Sequence, residues 1–67
     1  MRGTGGNRFL EPDANNFDLL KSIRDQLAYL YDYAKDTGRV LDIGEITIET
    51  RRISNGKVSV SVTADLQ

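Results

Sequence analysis

Four aspartates, Asp18, Asp25, Asp32 and Asp36, recur at intervals of seven, seven and four residues. At about 100° per residue this spacing puts all four carboxylates on one face of a helix. Two of them, Asp32 and Asp36, could hold a hard cation through oxygen. A calcium loop, however, needs ligands at alternate positions and a glycine, and that pattern is absent. The stripe therefore reads as a solvated acidic face, partly offset by Lys21 and Lys35. The chain has no histidine and no cysteine. That removes disulfides and the ordinary zinc, haem and iron–sulfur ligands, along with the commonest general bases and nucleophiles. Ser59 and Ser61 stand in an alternating run with no base in view, so neither an enzyme nor a bound cofactor or metal is expected.

Two further clusters invite a chemical reading. Residues 3–6, GTGG, resemble a phosphate loop in composition only, since the Gly-Lys-Ser/Thr ending and a directly following helix are missing. Arg51, Arg52 and Lys57 crowd the end of a hairpin, and β-ribbons can enter a major groove. Glu45 and Glu49 dilute that charge, and the net charge of −1 with a pI near 5.2 gives the whole chain no electrostatic footprint for nucleic acid. Tyrosine is the remaining candidate. Tyr29, Tyr31 and Tyr33 alternate within what otherwise reads as helix, so they cannot share one face. Tyr31 borders the apolar stripe, as a core or core-edge residue. Tyr29 and Tyr33 point outward one turn apart, combining apolar area with polar tips as interface residues do.

These residues must be positioned by very few elements. Sixty-seven residues make one small domain, which buries only about 60% of its unfolded surface. Without disulfides or metal, oligomerisation or docking on a partner is the stabilising device left. No apolar run reaches the roughly 18 residues of a membrane span. The first sixteen residues lack the apolar core of a secretory signal. An intracellular, cytoplasmic protein, or part of an assembly built inside a cell, is the expectation.

Residues 1–15 hold three of the six glycines and the only proline, with Phe9 and Leu10 as the large apolar side chains after Met1. Such composition orders itself poorly and predicts a flexible or partner-ordered arm, anchored by Phe9 and Leu10. From about 16 to 37, Leu20, Ile23, Leu27, Leu30 and Ala34 form a helical stripe. Asn15 or Asn16 caps its start, and Gly38 stands at the left-handed position that ends it. Strands are predicted over about 45–53 and 57–65, around Asn55-Gly56. A two-residue turn would put Ile46 and Ile48 opposite to the valine face. A three-residue loop, Ser54-Asn55-Gly56, instead pairs Ile48 with Val62, Thr50 with Val60 and Ile46 with Ala64. The expected turn is type I with Gly56 left-handed in a bulge.

The fold class is therefore α+β: one long amphipathic helix packed on a C-terminal antiparallel hairpin over residues 16–67, preceded by an irregular N-terminal arm. Val40, Leu41, Ile43 and Leu66 would close the core, and both hairpin edges would stay open. The functional expectation is a non-catalytic protein–protein interaction module. It would be a small accessory or assembly subunit, of the kind found in virions, that self-associates or docks on a larger complex. The partner is another protein or a second copy, met through Phe9, Leu10, Tyr29, Tyr33 and the strand edges. Two alternatives use other surfaces. A small acidic inhibitor would occupy another protein's nucleic-acid or substrate site with Asp18, Asp25, Asp32 and Asp36. A ribbon-type nucleic-acid binder would use Arg51, Arg52 and Lys57.

Overall fold

A computed structural model describes residues 1–67. The chain runs β1 (Arg2–Leu10), α1 (Asn16–Asp36), β2 (Leu41–Arg52), a single 3₁₀ turn (Ser54–Gly56) and β3 (Val58–Leu66). The strands form one antiparallel sheet in the order β1-β3-β2. The α+β class is as expected, but residues 2–10 are a strand and not an irregular arm. Glycine buries no side-chain area, which is why the composition predicts disorder, yet it lets a helix come close. The partner that orders this segment is β3 itself, with Leu66 N–H donating to the Met1 carbonyl at 2.6 Å.

Helix α1 begins where the sequence places it. The Asn15 side chain accepts from Asp18 N–H at 3.0 Å, and Asn15 N–H donates back to the Asp18 carboxylate at 3.1 Å, a reciprocal capping box. Thr37 closes the helix, and Gly38 follows at φ 70°. The hairpin register also follows the alternation argument. Ile46, Ile48 and Thr50 face Ala64, Val62 and Val60, while Thr47, Glu49 and Arg51 face Thr63, Ser61 and Ser59.

The turn itself differs from expectation. Gly56 N–H donates to the Ile53 carbonyl at 3.3 Å, and Asn55 stands at φ 75°, ψ 6°. Those angles belong to the third residue of a type II turn, where asparagine is tolerated at positive φ. Gly56 is left-handed as expected, at φ 76°. A Cβ there would meet only Pro12, at an ordinary 3.4 Å, so the cost of adding one is conformational. Gly56→Ala is expected to lower stability by about 1 kcal/mol. Urea titration would show this as a lower midpoint at unchanged slope; an unmoved midpoint would rule out the assigned strain.

The helix lies mainly over β1 and β3. Its buried residues are Ser22, Gln26, Leu30 and Ala34, facing Val60, Val62, Ala64 and Leu66. This face is rotated from the predicted stripe. Ile23 and Leu27 are half-buried against the core, and Leu20 is exposed. The reason lies in β1. Gly3 and Gly5 sit beneath the helix, and a Cβ on Gly5 would stand 2.6 Å from Gln26 Cβ and 2.7 Å from the Gln26 carbonyl oxygen. Helix and strand backbones are thus in direct contact.

That closeness solves a hydrogen-bonding problem. In β1, Gly5 and Gly6 together oppose the one residue Val62, a β-bulge with Gly6 at φ 89°. The Gln26 amide fills the interrupted ladder: its Nε2 donates to the Val60 carbonyl at 3.1 Å, and Val62 N–H donates to its Oε1 at 3.0 Å. Gln26 Nε2 also reaches Ser22 Oγ at 3.3 Å. A buried polar pair on a helix is therefore a side-chain substitute for a missing peptide group, and no buried side-chain polar atom lacks a partner.

The core that results is thin. Nine residues are buried, and the radius of gyration, 12.7 Å, exceeds the roughly 11 Å of a compact chain this long. One helix cannot cover a three-stranded sheet, and β2 is the strand left over.

Candidate interaction surface

Between α1 and β2 apolar side chains stay incompletely covered, and we term this strip of surface the groove. Its helix wall is Leu20, Leu27 and Tyr31, spaced seven and four residues apart and so on one face. Leu20 is 64% exposed and Tyr31 58%. Its sheet wall is the inner face of β2, where Ile46 is half-buried and Ile48 is 47% exposed. At the far end a cavity of about 350 Å³ is lined by Tyr31, Ala34, Lys35, Arg39, Val40, Leu41 and Ile43. Ile43 protrudes because β2 loops out between Leu41 and Ile46, where its register against β3 shifts. Asp42 fixes that loop by accepting from Gly44 N–H at 2.9 Å and from the Gln67 amide at 3.1 Å.

Val40 and Ile43, expected to close the core, are 64% and 85% exposed. Tyr31, expected at the core edge, lies open on the groove. Tyr31 is open because α1 is rotated toward the glycines of β1, which turns its apolar stripe away from the valine face, whereas Ile43 is open because β2 loops out between Leu41 and Ile46.

The residues predicted to meet a partner are not brought together. Tyr29 and Tyr33 lie on the opposite flank of α1, over the start of β1, around a shallow 230 Å³ depression shared with Met1, Arg2, Gly3 and Thr4. Phe9 is exposed on the open face of the sheet, opposite Ser59, while Leu10 alternates to the helix side, opposite Val58, and is half-buried. The arm's anchor is thus split between two faces.

The acidic stripe is partly engaged within the fold. Asp18 belongs to the capping box, and Asp25 is 3.5 Å from Arg24. Asp32 and Asp36 are exposed, and no three acidic side chains are placed to hold a metal ion. The basic hairpin end is divided as well. Arg51 faces the open side with Ser59, Arg52 the helix side with Val58, and Lys57 pairs with Glu11 at 3.5 Å.

The open sheet face carries hydroxyls and one bridging cation. Arg2 donates to the Thr47 and Thr63 hydroxyls, each at 3.0 Å, tying all three strands together. Beside it, Asn7, Glu49, Thr50, Arg51, Ser59 and Ser61 line a polar depression. Both outer strands are interrupted, β1 by the Gly5-Gly6 bulge and β2 by the loop at 42–45. Such breaks blunt strand-to-strand addition, the contact expected of open edges. No helix is long and apolar enough to cross a membrane.

The groove is what sequence reading missed. Its signal was a surplus: Leu20, Tyr31, Val40, Ile43 and Ile48 were all assigned to a core that one helix and one hairpin could not hold. No protein-family model, curated protein or solved structure matches this chain, and its functional reading rests on its surfaces.

Proposed function

We propose that this chain is a non-catalytic protein-docking module, a small accessory or assembly subunit whose contact surface is the groove between α1 and β2. The observation that carries this reading is the placement of the helix stripe. Leu20 and Tyr31 on the helix and Ile48 on β2 stay exposed while Ser22 and Gln26 occupy the core. Monomeric domains seldom leave a contiguous apolar patch of this kind, and such patches mark interaction sites. A partner seated there would add the burial that a chain of this size lacks.

A photo-crosslinking amino acid at position 31, compared with one at position 61 on the open face, tests the reading in cells that make the protein. A discrete adduct from position 31, absent from position 61, is the expected outcome. Adducts from position 61 alone, or from neither, would reject the groove as the docking surface.

A further inference from the structure

The groove has a floor of one kind and a rim of another. Lys35 and Arg39 line it directly. Arg52 ends the inner row of β2 that contains Ile46 and Ile48. Arg24 lies one turn beyond Leu20 and two turns before Tyr31, on the same face of the helix, with its guanidinium 3.5 Å from Asp25 in an exposed pair that a partner carboxylate would have to compete with. No carboxylate lines the cavity; of the three adjacent in sequence to its lining, Asp42 is held by internal bonds and Asp32 and Asp36 belong to the acidic stripe of the helix. The helix aspartates lie within about 40° of one another and roughly 140° away from the Leu20–Leu27–Tyr31 face, at ~100° per residue. A chain of near-zero net charge is thus sorted into an acidic flank and a basic-rimmed apolar groove.

We infer that this groove takes an acidic amphipathic helix from another protein, an inference that rests on the docking reading above. Shape argues for a helix. Packed helices lie about 8–10 Å apart and strands about 4.8 Å apart, so a second helix beside α1 would sit over β2. An added strand is disfavoured, because the outer edge of β2 is broken at 42–45. Charge argues for acid: apolar side chains on the floor with Glu or Asp toward Arg24, Lys35, Arg39 and Arg52 complement both parts. Charge also argues against a second copy. A two-fold interface sets the whole patch against its own copy, so rim cations would meet rim cations. From Leu20 to Tyr31 the helix wall spans about 17 Å, which matches three to four turns of a partner helix.

Two synthetic peptides of four turns test this, sharing one leucine stripe and differing only in flanks of glutamate or lysine. Each is titrated into the isotopically labelled chain and followed by amide and methyl NMR shifts. The glutamate peptide is expected to perturb Leu20, Leu27, Tyr31 and Ile48, and to bind on the order of tenfold more tightly than its twin at low salt, the gap closing as salt rises. The triple change Arg24→Glu, Lys35→Glu, Arg39→Glu, all at exposed positions, is expected to invert the preference. Equal binding of both peptides in the groove would overturn the acidic class and leave the docking reading standing. Binding of neither, while position 31 still crosslinks to a partner, would likewise overturn the inference alone. It would also fall if mixed phosphatidylcholine–phosphatidylserine vesicles, and not the peptide, produced the shifts, or if sedimentation equilibrium showed a dimer dispersed by Leu20→Ser.

Discussion

Gly5→Ala is expected to destabilise this domain more than any other single methyl addition. The new Cβ would stand 2.6 Å from Gln26 Cβ, 2.7 Å from the Gln26 carbonyl oxygen and 3.0 Å from its Cα. None of those atoms can rotate away, because they are main chain or fixed to it. Relief requires the helix to lift from β1, which stretches the Gln26 amide off β3. Overpacking of this kind costs about 1–3 kcal/mol and occasionally more, and loss of the amide bonds adds to it. Set against about 0.05–0.15 kcal/mol of stability per residue, the result is a chain close to its unfolding midpoint at room temperature. Gly6→Ala is the control, since nothing lies within 4 Å of its Cβ direction and only its φ of 89° is strained. It should cost about 1 kcal/mol. Equal urea midpoints for the two variants would show that the close approach at Gly5 is not what holds the helix.

Gln26→Leu is the second large effect. It keeps the side chain's bulk and raises its hydrophobicity, so a purely apolar account predicts stabilisation. The hydrogen bonds predict the reverse. Val60 C=O and Val62 N–H, both bonded to Gln26, would be left buried beside a bulge that offers no replacement. Each such group costs about 1–3 kcal/mol. A net loss of about 3 kcal/mol is expected, with the Val62 amide losing its protection from hydrogen exchange more than the amides of β2. A variant as stable as the parent, with Val62 still protected, would mean that the helix amide is not the ladder's missing peptide group.

Both residues show where the sequence was legible and where it was not. Periodicity and capping chemistry located α1 to within a residue, because Asn15, Asp18 and Gly38 act locally. The hairpin register was legible for the same reason: the alternation of Ile46, Ile48 and Thr50 against the valines admits only one pairing with a three-residue loop. Strand β1 was not legible, because its role depends on side chains it lacks. The helix rotation was hidden for the same reason. Counting apolar residues favours Leu20 and Leu27 as core, whereas Gln26 is seated there by Gly5, some twenty positions earlier. The candidate site inherits that error. Tyr31, expected inward, is exposed, and Tyr29 and Tyr33 are exposed as well, but beside the start of β1 because the buried face of the helix has turned toward them.

The order of the strands has a consequence for how the chain acquires its structure. Strand β3 is the centre of the sheet and also follows every other element. Its hairpin with β2 closes through a short loop. By contrast β1 joins it across 63 positions, from Arg2 to Asp65. Closure entropy rises with the length spanned, and pairings so distant in sequence slow the search. During synthesis β1 emerges first and has no neighbour until β3 has been made, so the glycine-rich segment spends that interval unpaired. Helix α1 can form early, yet Gln26 finds its backbone partners only when the last strand arrives. Productive folding is thus a late, concerted closure in which the earliest-made strand is the last to be paired.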